Sequence, residues 1–237
     1  MSDPIEIEQR ESSAWRISVR TAGIMLAFSM VFTALMAGTY SASAPLIAAS
    51  ELAEKLRLIG EVLPTTLYDN DLMADAIDLP PQKMLGLEDD SRVWRARKSS
   101  TAAALVLEAA APDGYAGRIG LIMAVDKDGK LLALRVTSHK ETPGLGDYIN
   151  PKKDRNKVRP WISQFNNIGF DTVTTSKWRV KRDGGHFDQM SGATISARAV
   201  TNASGRALAW VAEHRDKLFT LPPNSRYTEE TEERTPQ

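Results

Sequence analysis

Four consecutive residues, Ser191-Gly192-Ala193-Thr194, could form a binding site for a phosphate group. Glycine lets the backbone turn sharply and allows a ligand to approach closely. A long helix is predicted to begin here, and the free N–H groups and dipole of a helix N-terminus favour an anionic group. The alternative is an ordinary helix start with Ser or Thr as the N-cap, and four residues taken alone favour that simpler interpretation.

A second candidate motif, Glu141-Thr142-Pro143-Gly144-Leu145-Gly146-Asp147, follows a predicted strand directly. Its proline and two glycines indicate a rigid loop with few side chains. A flat ligand could pack on Leu145, while Glu141 and Thr142 supply polar contacts. Taken alone, this loop could equally be a structural turn.

An antiparallel sheet is predicted to lead into the second motif. The segments Arg118 to Val125 and Leu131 to Ser138 are strongly strand-like. They are joined by Asp126-Lys127-Asp128-Gly129, in which glycine suits the positive φ of a short hairpin loop. The preceding segments, Val93 to Arg97 and Ala102 to Ala110, carry small and β-tolerant residues.

A long helix is predicted from Ala193 to Leu218, with a face of mostly small residues that allows close packing on a sheet. The segment Val158 to Phe170 has apolar residues at helical spacing, and Trp178 to Val180 could form a short strand. We expect the aromatic residues of these two segments to belong to the core. The polar residues from Asn224 to Gln237 predict a disordered tail.

The stretch from Thr21 to Tyr40 predicts one transmembrane helix. It contains no charged residue, and about twenty helical residues cross the roughly 30 Å hydrocarbon layer. Arginines precede it and the first basic residue after it is Lys55, so the positive-inside rule places the N-terminus in the cytoplasm. A cleaved signal peptide and a buried soluble helix are the alternatives. After the span, an amphipathic helix is predicted from Ser50 to Leu63, followed by loop and short helix.

Composition excludes several classes of protein. Thirty basic residues balance thirty acidic ones, so we expect no nucleic-acid binding. The chain has no cysteine, which excludes disulfides, thiolate-ligated clusters and a cysteine nucleophile. The three histidines are far apart in the sequence, so no metal site is predicted. Redox chemistry would therefore need a bound cofactor.

Taken in order, these segments resemble the G subunit of the Rnf ion-translocating electron-transport complex. The resemblance rests on the apolar helix, IGEVLPTTLYDNDL at Ile59 to Leu72, HKETPGLGD at His139 to Asp147, and DQMSGATISARAV at Asp188 to Val200. It covers nearly the whole chain except the tails. Ser196 matches a hydroxyl residue that often follows the family's threonine by two positions.

The resemblance implies an electron-relay subunit that contains FMN. In the family, a flavin transferase moves FMN from FAD to the threonine of the motif, so the acceptor here would be Thr194, with Ser191, Gly192 and Ala193 beside it. Glu141, Thr142, Leu145 and Gly146 would lie near the isoalloxazine ring. The complex couples electron transfer between ferredoxin and NAD to ion translocation, so the other subunits and the membrane are the expected partners. No side chain is expected to act as a catalytic acid or base, and the subunit is not expected to be catalytic alone.

The predicted fold is α+β: one transmembrane helix followed by one FMN-binding domain, in which helices pack on an antiparallel sheet. The boundaries are a cytoplasmic segment at 1–20, a membrane helix at 21–40, a juxtamembrane helix and linker at 41–100, the domain at 101–218 and a disordered tail at 219–237. We expect a single-pass protein of the bacterial inner membrane, with the N-terminus in the cytoplasm and the FMN-binding domain in the periplasm.

Three other functions remain open from the sequence. The C subunit of the sodium-pumping NADH:quinone oxidoreductase shares the anchor and the threonine motif, although the segment Tyr68-Asp69-Asn70-Asp71 favours Rnf. A stand-alone anchored flavin reductase should turn over without partners. A non-redox scaffold that shares only the fold would carry no flavin.

Overall fold

The computed structural model describes residues 4–228, and side chains are described from residue 15 onward except at 51 and 52. The chain divides into two compact units, the first ending at Glu54 and the second beginning at Lys55. The first unit consists of most of helix α1, Pro4–Val62.

Helix α1 is long and apolar enough to cross a membrane, judged by its length and composition. Its large apolar side chains, including Ile24, Phe28 and Leu35, are exposed rather than packed in a core. The predicted apolar helix is present, but it does not end near Tyr40. It runs on through Pro45 and Ser50, so the amphipathic helix predicted to begin at Ser50 is the last part of α1. The small alanines around Pro45 are good helix formers, and they favour continuation despite the missing N–H.

The second unit contains a five-stranded antiparallel sheet with the spatial order β1-β2-β3-β4-β5. The predicted antiparallel sheet is confirmed, and so is the turn with positive φ at Gly129. The strands are β1 Ala76–Leu79, β2 Ser91–Lys98, β3 Thr101–Gly114, β4 Gly117–Asp126 and β5 Leu131–Ser138.

The linker predicted at 41–100 is wrong in part, because β1 and β2 belong to the sheet. Strand β1 has only four residues and lies among acids and prolines, so its local sequence resembles a loop. Its pairing with β2, for example Ile77 opposite Val93, stabilises an extended conformation that the local sequence does not favour by itself. The domain therefore begins before residue 101.

Apolar residues are buried on both faces of the sheet. One face packs against helix α2, Thr194–Thr220, whose small residues Ala199, Ala203 and Ala207 are fully buried, as predicted. The other face packs against Ile59, at the end of α1, and its neighbours in the second unit. The α+β class is thus confirmed.

One charged side chain, Arg95 on β2, is fully buried. Its guanidinium donates to the carbonyl oxygens of Leu218, at 2.9 Å, and of Leu221, and it pairs with Asp75. Arg97 donates to the other oxygen of Asp75 at 2.8 Å. This network holds the end of α2 against the sheet, and Asp75 neutralises a charge that would be costly to bury alone.

Between β5 and α2, the chain is mainly turns and 3-10 helices, at Gly146–Ile149, Trp161–Phe165, Thr175–Lys177 and Lys181–Asp183. The helical spacing predicted from Val158 to Phe170 yields only the five-residue turn of helix, which begins after Pro160. The strand predicted at Trp178 to Val180 is reduced to one isolated bridge, between Val180 and Phe187. Stacked and edge-to-face aromatic rings fill this region, so the prediction that they form core is confirmed.

The disordered tail predicted at 219–237 is wrong for its first part. Helix α2 extends to Thr220, and the following segment lies beside β1, where Tyr227 donates its N–H to the Asp78 carbonyl at 2.8 Å. Tyr227 is buried, and its ring meets that of Trp210 edge to face at 5.9 Å. Tyr227 therefore anchors the segment to the core, although the polar residues around it predicted disorder. The remainder of the predicted tail, 229–237, lies outside the described residues.

Candidate functional site

Both candidate motifs line one pocket of about 270 Å³. The predicted residues Glu141, Thr142, Leu145 and Gly146 form one side, and Gly192 and Ala193 form another. Ser191 and Thr194, which flank Gly192 and Ala193 in the sequence, are not part of the lining. The remaining lining residues were not predicted from the sequence to contact the ligand: Tyr115, Ile195 and Ser196. Two loops fifty residues apart in the sequence therefore meet at a common cavity, and this juxtaposition makes it the candidate site.

The buried carboxylate of Glu141 holds three elements of the pocket together. One oxygen accepts a hydrogen bond from the Ser196 hydroxyl on α2. The other accepts the backbone N–H of Ala116, in the turn between β3 and β4, at 3.1 Å. Both oxygens are thus engaged by the protein, so Glu141 braces the pocket wall.

The turn at residues 142–147 fixes the position of Leu145. The N–H of Leu145 donates to the Thr142 carbonyl at 3.1 Å, and the N–H of Gly144 donates to the Asp147 carboxylate at 2.9 Å. Gly144 has a φ of +77°, which a residue with a side chain adopts at a cost. The Leu145 side chain remains half exposed and offers an apolar contact at the pocket mouth.

The backbone turns sharply at Gly192, where φ is +84°, and helix α2 begins two residues later at Thr194. The N-cap is Ala193, and no side chain caps this end among the described residues. The interpretation of the motif as an ordinary Ser or Thr cap is therefore wrong. Uncapped N–H groups at a helix start remain available to an anion.

The hydroxyl of Thr194 lies beneath a guanidinium. Thr194 is only 6% exposed, and Nη1 of Arg182 lies 3.5 Å from its Oγ1. Neighbouring cations have carboxylate partners: Lys181 contacts Asp188 at 2.6 Å, and Arg198 chelates Asp183. Within the described chain, Arg182 has no such carboxylate contact, so its charge is available next to the hydroxyl. The cluster of basic residues at 179–182, which precedes the motif, was the sequence signal that could have identified Arg182.

A buried tyrosine fixes the segment that precedes Thr194. The Tyr148 hydroxyl accepts the Met190 N–H at 3.1 Å and donates to the Ala193 carbonyl at 3.4 Å. Burial raises the pKa of Tyr148 to about 12, so the phenol stays neutral near pH 7. Trp161 adds a hydrogen bond from its indole N–H to the Asp188 carbonyl at 2.6 Å. These contacts position the turn around Gly192 without using the pocket itself.

A larger cavity, of about 380 Å³, is lined in part by the segment Asp188 to Met190. Its walls are mostly polar and include Asn156, Arg159 and Trp161. Of these two cavities in the described part of the chain, the smaller is lined by both motifs and the larger is not. We therefore place the candidate site there, despite the difference in size.

The residues present fit a ligand that has a flat apolar ring and a phosphate group. Leu145, Ile195 and Tyr115 offer exposed apolar or aromatic surface at the pocket. Arg182 and the uncapped helix start supply positive potential beside Thr194. The pocket volume is near the lower end of the range of small-molecule sites, which is about 300–1,000 Å³, so a flavin ring would be held partly open to solvent.

Comparison with known proteins gives two family matches. Residues 114–209 match a model described as an FMN-binding domain, and residues 12–62 match an RnfG N-terminal region. Three similar proteins are named as the G subunit of an ion-translocating oxidoreductase complex. The one from Shewanella amazonensis is 36% identical over 86% of this chain and 94% of its own length. Those from Vibrio cholerae and Pseudomonas aeruginosa are also 36% identical, over 86% and 88% of this chain and 96% and 95% of theirs.

Proposed function

The chain belongs to the RnfG family, the G subunits of Rnf ion-translocating oxidoreductases, and from this premise we propose that its FMN is esterified to Thr194 and relays electrons between ferredoxin and NAD. Family membership itself makes the chain an FMN-containing electron-transfer subunit with partner subunits in a multi-subunit complex. Helix α1 is consistent with a single-pass protein of a membrane complex. The match at 12–62 to the RnfG N-terminal region favours this family over the sodium-pumping NADH:quinone oxidoreductase.

The observation that carries the proposal is the meeting of both motifs at one pocket, with the Thr194 hydroxyl beside it. A threonine hydroxyl is a poor nucleophile without an adjacent base, and the side chain that contacts it here is the cationic Arg182. A separate flavin transferase therefore makes the bond. In that step the Thr194 hydroxyl would take the FMN phosphoryl group from FAD, so that an O–P bond forms, the pyrophosphate bond breaks, and AMP and the hydroxyl proton are released. Nη1 of Arg182 lies 3.5 Å from this hydroxyl, where its charge can contact the incoming phosphate.

Each part of the site has a role toward the bound flavin, which accepts one or two electrons unaided. Arg182 and the start of α2 balance the phosphate charge, and the helix contribution is about 0.3–2 kcal/mol. Leu145 and Ile195 line the pocket and would lie against the ring. The hydrogen bond between Glu141 and Ser196 keeps the two loops at a fixed separation. The predicted contacts Thr142, Gly146, Ser191, Gly192 and Ala193 shape the backbone around the cofactor.

We further propose that the N-terminus is cytoplasmic and the second unit periplasmic in the bacterial inner membrane. Arg16 and Arg20 precede the apolar stretch, whereas the residues that follow it are uncharged as far as Glu51. The positive-inside rule converts this asymmetry into the proposed orientation. The complex would couple the electron transfer to translocation of an ion through its other subunits.

The test is the intact mass and in-gel flavin fluorescence of the full chain co-expressed with a flavin transferase. Wild type should carry one FMN that survives denaturation, Thr194→Ala none, and Thr220→Ala, which alters an exposed threonine at the other end of α2, the wild-type amount. Unmodified wild type in the presence of an active transferase would contradict the proposal. Turnover by the purified chain without partners would instead favour the stand-alone reductase.

A further inference from the structure

A loop between the two motifs carries an unusual concentration of positive charge. Residues 152–159, which we term the basic loop, contain five cations and one acid in a chain whose net charge is zero. All five cations are exposed, and among the described residues none forms an ion pair. The one acid, Asp154, is buried. The five cations are Lys152, Lys153, Arg155, Lys157 and Arg159.

The basic loop is held in one conformation by its own hydrogen bonds. The two carboxylate oxygens of Asp154 accept the N–H groups of Asn156, at 2.9 Å, and Trp161, at 2.6 Å. The Asn156 side chain accepts the Arg159 N–H at 3.0 Å, and Lys157 donates to the Lys152 carbonyl at 2.8 Å. Because the acid is used to fix the backbone, the five cations are displayed without local neutralisation.

An apolar side chain projects from the same loop. Val158 lies between Lys157 and Arg159 and is 98% exposed, the highest value among the large apolar residues of the described chain. A valine that contacts nothing inside the protein gains nothing from burial in the fold. One apolar tip surrounded by cations matches a surface that is anionic at its face and apolar just beneath.

We propose that the basic loop binds the anionic headgroup surface of the bilayer and that Val158 enters the headgroup region. The chain carries its own membrane-capable helix, so a bilayer is always within reach of the tethered domain. Each Lys or Arg near an anionic lipid surface strengthens partitioning by about fivefold. An acidic protein surface would satisfy the cations but would also need a dedicated pocket for Val158. The bilayer needs none.

Docking of the basic loop would also affect the cofactor segment. Arg159 and Asn156 line the same 380 Å³ cavity as Asp188 and Met190, which directly precede the phosphate-binding motif. A loop held at the membrane surface would therefore hold this segment at a constant height above it. The proposal does not depend on covalent flavin, because it uses none of the residues of the smaller pocket.

The absence of cysteine from the sequence allows a single label at the tip of the loop. Full-length Val158→Cys, labelled with an environment-sensitive fluorophore, is placed in nanodiscs of phosphatidylcholine alone or in an equal mixture with phosphatidylglycerol. We expect a blue-shifted emission only in the anionic nanodiscs, reversed in 1 M salt, where the Debye length is about 3 Å. The same label at Asp128, in the β4–β5 turn, reports non-specific adsorption of the domain.

Charge variants complete the test. Adding Lys153→Gln should lower the equilibrium ratio of membrane-docked to undocked loop by about fivefold, and neutralising all five cations should abolish the shift. Lys83→Gln, which removes an exposed cation of another loop, should change nothing. Equal emission in both lipids would overturn the proposal, and so would a shift that is insensitive to salt and charge. A shift that appears only when the partner subunits are present would assign the loop to an acidic protein surface instead. Flavin content, measured in parallel, reports separately on the proposed function.

Discussion

Gly146→Ala should both unfold the domain more easily and reduce its flavin content. A Cβ atom at Gly146 would lie 2.6 Å from Oε2 of Glu141 and 2.6 Å from Oγ of Ser196, the two atoms of the buried hydrogen bond that braces the pocket. Loss of a hydrogen bond to a charged group costs about 1.5–3 kcal/mol and overpacking about 1–3 kcal/mol, so we expect a destabilisation of about 2.5–6 kcal/mol. That is a large share of a typical domain stability of about 5–15 kcal/mol.

Gly144→Ala is the matched control, two residues away in the same loop. Its Cβ would meet nothing within 4 Å, but its φ of +77° imposes a conformational cost of about 1–2 kcal/mol. Urea unfolding of the full chain in detergent, followed by tryptophan fluorescence, measures both variants, and intact mass measures their FMN. Equal stabilities for the two variants, or a fully flavinylated Gly146→Ala, would refute the assignment of the bond between Glu141 and Ser196 as the brace.

Three further predictions concern charged and titratable groups. Because burial raises the pKa of Tyr148 from 10.0 to about 12, its contribution to the free energy of unfolding changes with pH. The neutral phenol is favoured in the fold, so this contribution is present below pH 10 and is lost as the pH rises to about 12. The loss is up to about 3 kcal/mol, and urea titrations across this range should show it in wild type but not in Tyr148→Phe. Asp75→Asn removes the counterion of the buried Arg95 guanidinium and should lower the free energy of unfolding by about 3–5 kcal/mol. Asp90→Asn breaks an exposed ion pair and should lower it by less than about 1 kcal/mol. Urea unfolding measures both. Arg182→Gln should slow FMN attachment about tenfold in a mass-spectrometric time course, since one charge-assisted contact is worth at least about 1.5 kcal/mol; an equal rate in Arg182→Gln and Arg179→Gln would contradict this role.

The sequence predicts elements whose information is local. The apolar run from Thr21 to Tyr40, the hairpin at Gly129 and the small-residue face of α2 are visible because each depends on residues close together in the chain. Strand β1 and the segment around Tyr227 are not visible, because each is stabilised by a partner distant in sequence. The helical spacing of apolar residues from Val158 to Phe170 yields only a short 3-10 helix, because apolar periodicity cannot distinguish a helix from turns packed around aromatic rings.

For the site, the two glycine-containing motifs were predictable, but their surroundings were not. Glycine and proline indicate a constrained backbone, so Gly144 and Gly192 could be identified from the sequence. Tyr115 lies in a hairpin turn without a motif, and Arg182 is one of several cations in a basic run. Which cation lies over Thr194 is decided by the ion pairs of the others, and only the folded chain shows that.

The strip of chain at 225–228 that lies along β1 has a consequence for the way the protein is made. Strand β1 is the first of the five to be synthesised, and its outer edge exposes unpaired backbone groups that could pair with another chain. The residues that cover this edge, Ser225 to Tyr227, emerge only after all five strands and helix α2. During synthesis the sheet can thus be complete while its first edge is still open. Fusions or truncations close to Tyr227 would leave newly made chains prone to edge-to-edge association.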